Sequence, residues 1–190
     1  LRDQSYLIRE EARNKVVSLV THWSPEDQGE LLRDQDLVKL LKNGSNFVRG
    51  EMAELLAELR AKEYAKDIAV LLKDSDAGAR SSAASALGEL GAAEYAKDIA
   101  ELLKKEETVE VRHTAAAALG SFKTPTEYTT QVLKDESSSI RLFGVYDLAR
   151  LGKEHAKDIV VLLKDTDAEV RIAAIEALVK LQAKEYATEI

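Results

Sequence analysis

The chain has 190 residues, of which 32% are charged and 5% aromatic, with two prolines, nine glycines and no cysteine. A formal charge of −7 argues against general binding to a phosphate backbone, and the missing thiols exclude disulfides and thiolate chemistry. No apolar run approaches the ~18 residues of a membrane span and no leader pattern opens the chain, so no membrane partner is expected and the expected location is the cytoplasm.

One phrase recurs: KEYAKDI at 62–68, AEYAKDI at 93–99, KEHAKDI at 153–159 and KEYATEI at 184–190. The copies align on Arg9, Arg49, Arg80, Arg112, Arg141 and Arg171, spaced 40, 31, 32, 29 and 30 residues apart. Apolar residues at −1, +3, +7 and +10 from each arginine trace one face of a helix of period ~3.6. We call this helix B. Four residues before each arginine stands Ser5, Ser45, Asp76, Thr108, Ser137 or Asp167, all types whose oxygen can cap a helix N-terminus. Gly91 and Gly152 fall where a left-handed C-cap is wanted. A second amphipathic helix, helix A, precedes helix B and reads at 63–73, 94–104 and 154–164.

In chain order the units span about 1–20 (helix B of a partial unit), 24–60, 61–91, 92–122, 123–152, 153–182 and 183–190 (the start of a further helix A). One helical hairpin cannot bury its own apolar face, so neighbours must stack. The expected fold is all-α: a right-handed α-solenoid of antiparallel helix pairs over residues 1–190. Neither end carries an atypical polar cap, which reads as a segment of a longer array and leaves end-to-end self-association through the termini as an expectation.

Two units break the pattern. THWSPEDQGEL (21–31) lengthens the second, with Ser24-Pro25-Glu26-Asp27 as a helix start. There Trp23 and His22 read either as a cover over a wider gap or as a binding knuckle. In the unit at 123–152, helix A has lost about a turn and helix B reads SIRLFGVYDLARLG (139–152).

The segments DSDAGARSSAASALGELG (74–91) and DTDAEVRIAAIEALVKL (165–181) resemble HEAT repeats, and more narrowly the short HEAT-like class also found in phycobilisome lyases. The resemblance covers essentially the whole chain and implies a fold but no activity. It implies that Asp3, Asn43, Asp74, Glu106, Asp135 and Asp165, six residues before each arginine, pair with the arginines in a structural ladder within and between repeats. Asn43 departs from the pattern, and a weaker rung is expected there. The resemblance also places helix B on the concave side.

On that side, offsets +1, +2, +5 and +9 carry acidic and small residues early in the chain, among them Glu51, Glu54 and Glu58. Later they carry Leu142, Phe143, Tyr146, Arg150 and Ile172, with His113 beside them. Tyrosine and arginine on an apolar background is the composition of an interaction hot spot. Two readings stand for Phe143: a groove residue, or a core swap with Gly144 that fills space left by the short helix A.

Three histidines are too few and scattered for a metal site, and His155 takes the slot of Tyr64, Tyr95 and Tyr186. The DSD and DTD triplets lack the twelve-residue loop of a calcium site, and no catalytic motif occurs. The expectation is a non-enzymatic protein- or peptide-binding scaffold with no cofactor and no metal. The alternative is a phycobilisome-lyase-like subunit handling a bilin chromophore, and nucleic-acid binding ranks lowest because the helix-B stripe is acidic.

Overall fold

The computed structural model describes residues 35–105, 108–122 and 129–188. The expectations for Asp3, Ser5, Arg9, Glu106, the 21–31 insert and the partial unit at about 1–20 lie outside them, as do the last two residues. The chain divides into two compact units, Leu1–Leu90 and Gly91–Ile190. All regular structure among the described residues is helical.

In the first unit, α1 (Gln35–Asn43) and α2 (Asn46–Glu58) form one pair. The next pair is α3 (Ala65–Val70), flanked by 3-10 turns at Lys62–Tyr64 and Leu71–Lys73, and α4 (Ala77–Glu89). Helix α1 packs on α2 and α3, and α2 packs on α4, so A helices stack on A helices and B helices on B helices. Small residues allow the close approach: Ala53, Ala57, Ala79 and Ala83 are buried in the B layer. A Cβ on Gly50 would stand 3.1 Å from the Ser82 hydroxyl of α4.

The second unit repeats the plan with α5 (Ala96–Lys105) and α6 (Val109–Ser121), a 3-10 turn at Thr129–Lys134 and α7 (Ser138–Leu151). It continues with α8 (Ala156–Ile159), flanked by 3-10 turns at Lys153–His155 and Val160–Lys164, and α9 (Ala168–Lys180). A 3-10 turn at Lys184–Tyr186 follows. Helix α6 packs on α7 and α7 on α9. Val145, Leu148, Ile159, Val170 and Leu178 form the core of the last pairs.

Helix A is less regular than its sequence pattern suggests. The expected continuous helices at 63–73 and 154–164 are broken into 3-10, α and 3-10 pieces. The helix A of the short unit is 3-10 from Thr129 to Lys134. Tighter winding has poorer hydrogen-bond geometry and is used in short pieces, and Leu71, Leu72 and Leu162 on these turns are buried. At the short unit, Val132 and Leu133 press so close to α7 that a Cβ on Gly144 would lie 2.8 Å from the Leu133 side chain. The lost turn is thus met by closer approach over a glycine.

The N-caps stand where the serine, threonine and aspartate pattern put them. Ser45, Asp76 and Asp167 accept backbone amides of the first turn, whereas Thr108 and Ser137 cap without such a side-chain bond.

The arginines and aspartates tie consecutive pairs together. Arg49 Nε and Nη2 donate to the two Asp74 carboxylate oxygens at 2.7 and 2.6 Å. Arg141 grips Asp165 in the same two-pronged way at 2.7 and 2.7 Å, and Arg112 holds Asp135 at 3.0 and 3.4 Å. In each case the carboxylate comes from the next repeat. Within its own repeat an arginine uses Nη1 on the loop carbonyls, as Arg80 does on Asp74 and Ser75 and Arg141 on Asp135 and Glu136. Each carboxylate also accepts the amide two residues on, at Asp76, Ser137 or Asp167.

Candidate functional site: the helix-B surfaces

In the first unit the B helices enclose a pocket of about 270 Å³, lined by Asn46, Phe47, Gly50, Glu51 and Glu54 from α2 and by Asp76, Gly78, Ala79 and Ser82 around the start of α4. Close packing at Gly50 brings the two helices near enough to give the pocket walls. Glu51 and Glu54 are half-buried, and Glu54 accepts the Ser82 hydroxyl at 2.7 Å. Asp76 accepts Asn46 Nδ2 at 2.8 Å and the Ala79 amide at 3.0 Å. The Asn46 bond, followed by that amide, holds its carboxyl below the ordinary carboxylate range. The Asp76 wall is therefore anionic at neutral pH. Glu58, one turn further along α2, is half-buried and does not line the pocket.

In the second unit the helix-B surface exposes large apolar side chains. Tyr146 of α7 is 54% exposed and Ile172 of α9 is 55% exposed. Exposed His113 meets half-buried Phe143 with ring centres 5.7 Å apart, a tilted contact from α6 to α7. Leu142 packs against the core of the last pairs. Arg150 is exposed but tethered: its Nη2 donates to the Gly120 carbonyl at 2.7 Å, joining α7 to the end of α6, and to Asp147 at 2.9 Å.

Several residues of these surfaces are not visible from the repeat pattern. Asp147 stands at offset +6, where the units of Arg49, Arg80, Arg112 and Arg171 have Leu55, Ala86, Ala118 and Ala177. It is 9% exposed, and its Oδ2 meets no donor among the described residues. Burial pushes its carboxyl above the ordinary range, with Arg150 pulling the other way. The signal was an acid in an alanine slot. Asn46, Phe47 and Ser82 reach the pocket through the depth of the α2–α4 contact, which spacing alone does not express. No group of three or more histidine or acidic side chains that could hold a metal occurs among the described residues, and no described helix is long and apolar enough to cross a membrane.

Stacked helix pairs joined by arginine–aspartate rungs define an α-solenoid repeat protein. The chain belongs to the HEAT-repeat family, whose profile matches residues 35–120 and 126–189. A comparison with curated proteins finds no match. Among solved structures, the chain is similar to the complex of CpcE and CpcF of phycocyanin lyase from Nostoc sp. PCC7120, at 20% identity and a TM-score of 0.60. That match covers 77% of this chain, which spans 64% of the lyase chain. It is also similar to the YibA protein of Escherichia coli, at 18% identity and a TM-score of 0.61, over 99% of this chain and 79% of that one. A designed armadillo repeat protein in complex with the peptide (KR)4 is similar at 17% identity and a TM-score of 0.57, over 95% of both chains. At these identities the similarity shows the fold.

Proposed function

We propose that the chain is a non-enzymatic peptide-binding scaffold that receives a basic side chain of its ligand in the pocket between α2 and α4. The observation that carries this reading is the pocket itself. Its volume of about 270 Å³ is below the ~300–1,000 Å³ typical of small-molecule sites and suits one long side chain. Three carboxylates (Glu51, Glu54 and Asp76) set its sign, and Phe47 offers an aromatic surface for a cation or an aliphatic stem. The designed armadillo protein of similar fold holds a (KR)4 peptide, and the acidic pocket offers a ligand of that charge a matching surface. Tyr146 and Ile172, with Phe143 and His113 beside them, offer a separate apolar contact for the same class of ligand. Arg150 holds α7 against α6 through Nη2, and its exposed side chain stands on the same surface.

Fluorescence anisotropy of a labelled (KR)4 peptide tests the reading. Saturable binding should weaken about tenfold in the Glu51→Gln, Glu54→Gln double variant and fall with added salt. Equal binding by parent and double variant would sink the assignment to this pocket. A loss seen only in Tyr146→Ala would move the ligand to the second unit.

A further inference from the structure

Helix α1 runs into Asn43-Gly44, and both residues depart from the repeat together. The rung position holds an aspartate at Asp74, Asp135 and Asp165, followed by Ser75, Glu136 or Thr166. This unit alone carries an amide there, and it alone follows the rung position with glycine. The three aspartate side chains are no more than 9% exposed, and each accepts an arginine fork and the amide two residues on. Asn43 is exposed, and its side chain meets no hydrogen-bond partner among the described residues.

The missing charge also bears on the helix that follows. Helix α2 has a neutral cap, Ser45, and no acidic residue in its first turn. By contrast, α4 and α9 are capped by Asp76 and Asp167, α6 carries Glu110 in its first turn, and α7 follows Asp135 and Glu136. Negative charge at a helix N-terminus is favourable, and α2 is the described B helix that lacks it.

An asparagine followed by glycine is open to attack on its own side-chain amide, because no Cβ shields the next main-chain nitrogen. The glycine is required here for another reason. A Cβ on Gly44 would lie 2.5 Å from the Leu40 carbonyl oxygen and 2.7 Å from the Val48 side chain. The tight turn from α1 to α2 therefore keeps the reactive pair in place. Gly44 N–H donates to the Leu40 carbonyl at 3.0 Å, so attack waits for the last turn of α1 to open, and helix ends open at little cost.

We propose that Asn43 is a spontaneous modification site, whose deamidation supplies the carboxylate that this rung lacks. When the turn opens, the Gly44 nitrogen bonds to Asn43 Cγ and the Cγ–Nδ2 bond breaks. Ammonia leaves, taking the proton of the Gly44 amide. Water then adds across the cyclic imide. Opening at Cγ gives an aspartate at position 43, and opening at the main-chain carbonyl gives isoaspartate, which lengthens the backbone by a methylene. The aspartate product stands where it can accept the Ser45 amide, as Asp74 accepts that of Asp76, and it brings negative charge to the start of α2.

Peptide-mapping mass spectrometry of the intact chain, incubated in mildly alkaline buffer, tests the site, with isoaspartyl methyltransferase labelling the isomer. Asn46 is the internal control, since Phe47 shields the attacking nitrogen and Asp76 holds Asn46 Nδ2 at 2.8 Å. Loss of the amide is expected at Asn43, with both products formed, while Asn46 stays intact. Asn43→Gln should abolish the reaction at this position, because the larger ring closes slowly. An Asn43 amide that persists, or one lost no faster than that of Asn46, overturns the proposal. The rung itself is read in Asn43→Asp by amide hydrogen exchange, which should slow at Ser45 relative to Asn43→Gln. Equal exchange at Ser45 in the two variants overturns the role given to the product.

Discussion

Arginines at Arg141 and Arg150 sit nine residues apart on one helix and do different work. Arg141 is 12% exposed in its side chain and its partner Asp165 is 5% exposed, so removing either leaves a charge stranded in a dry contact. Breaking such a pair typically costs ~3–5 kcal/mol, and Arg141→Ala should lower the unfolding free energy by about 3 kcal/mol in urea titrations. Arg150 is 61% exposed, and Arg150→Ala should cost less than about 1 kcal/mol. Equal losses would contradict the distinction. Asp147 has the opposite sign. It brings a carboxylate into an alanine slot with one oxygen unmatched, so its burial opposes folding once it ionises. Asp147→Ala should therefore stabilise the chain at neutral pH by roughly 1 kcal/mol. The gain should fade as pH falls through the raised value of Asp147, where the protonated acid no longer opposes folding. Thermal melts across the acid range give this directly, and a destabilised variant at neutral pH would reject it.

The helix ends show what the pattern made legible and what it hid. The eleventh residue after the repeat arginine takes positive φ in four units: Arg60 at 55°, Gly91 at 64°, Gly152 at 142° and Gln182 at 52°. Gly91 and Gly152 were readable as C-caps, whereas Arg60 and Gln182 occupy the same backbone slot without glycine's signature. Their helices still close in the same way, with Ala61 N–H reaching the Leu56 carbonyl and Ala183 N–H reaching that of Leu178. A side chain in this conformation costs roughly 1–2 kcal/mol, partly offset by glycine's larger unfolded-state entropy. Gln182→Gly should raise stability by about 0.5–1 kcal/mol, and Gly91→Ala should lower it by about 1 kcal/mol although no atom lies within 4 Å of the added methyl. Differential scanning calorimetry of the pair separates backbone strain from crowding, since crowding would leave Gly91→Ala neutral. Helix B and its caps were legible because a sustained period and a polar cap are local signals. The broken helix A was not, because AKDIAVLL satisfies the helical period equally well whether wound as α or as 3-10. The helix-B spacing put Glu51 and Glu54, which line the pocket, and Tyr146, which is exposed, away from the core. Asp147 left a signal as an acid in an alanine slot, but its unmatched oxygen and the pocket-lining Ser82 depend on contacts between repeats, which no spacing within one repeat contains.

At the scale of the whole molecule, stability in a repeat protein is close to a sum of repeat and nearest-neighbour terms, so a chemical feature shared by the interfaces acts once at each. The rung carboxylates are such a feature. Asp74 is held below the ordinary carboxylate range first by its bonds to Arg49 and then by the Asp76 amide, and Asp165 likewise by Arg141 and the Asp167 amide. A carboxyl depressed by folding contributes stability that is fully present above its unfolded value of ~3.9 and is lost as pH falls through the folded value. Stability should thus hold from neutral pH to about pH 4 as far as the rungs are concerned, then drop steeply at lower pH. The drop should grow with the number of rungs: Arg141→Gln, which removes one, should flatten the acid limb as well as lower the plateau. Asp147 contributes the reverse slope at higher pH, so the Asp147→Ala background isolates the rungs. Urea midpoints of the parent, Asp147→Ala and Asp147→Ala with Arg141→Gln between pH 7 and pH 2.5 (about the lower limit of a carboxylate titration) measure both terms. An acid limb of the same slope with and without Arg141 would mean that the aspartate–arginine contacts hold the repeats in register without setting their response to acid.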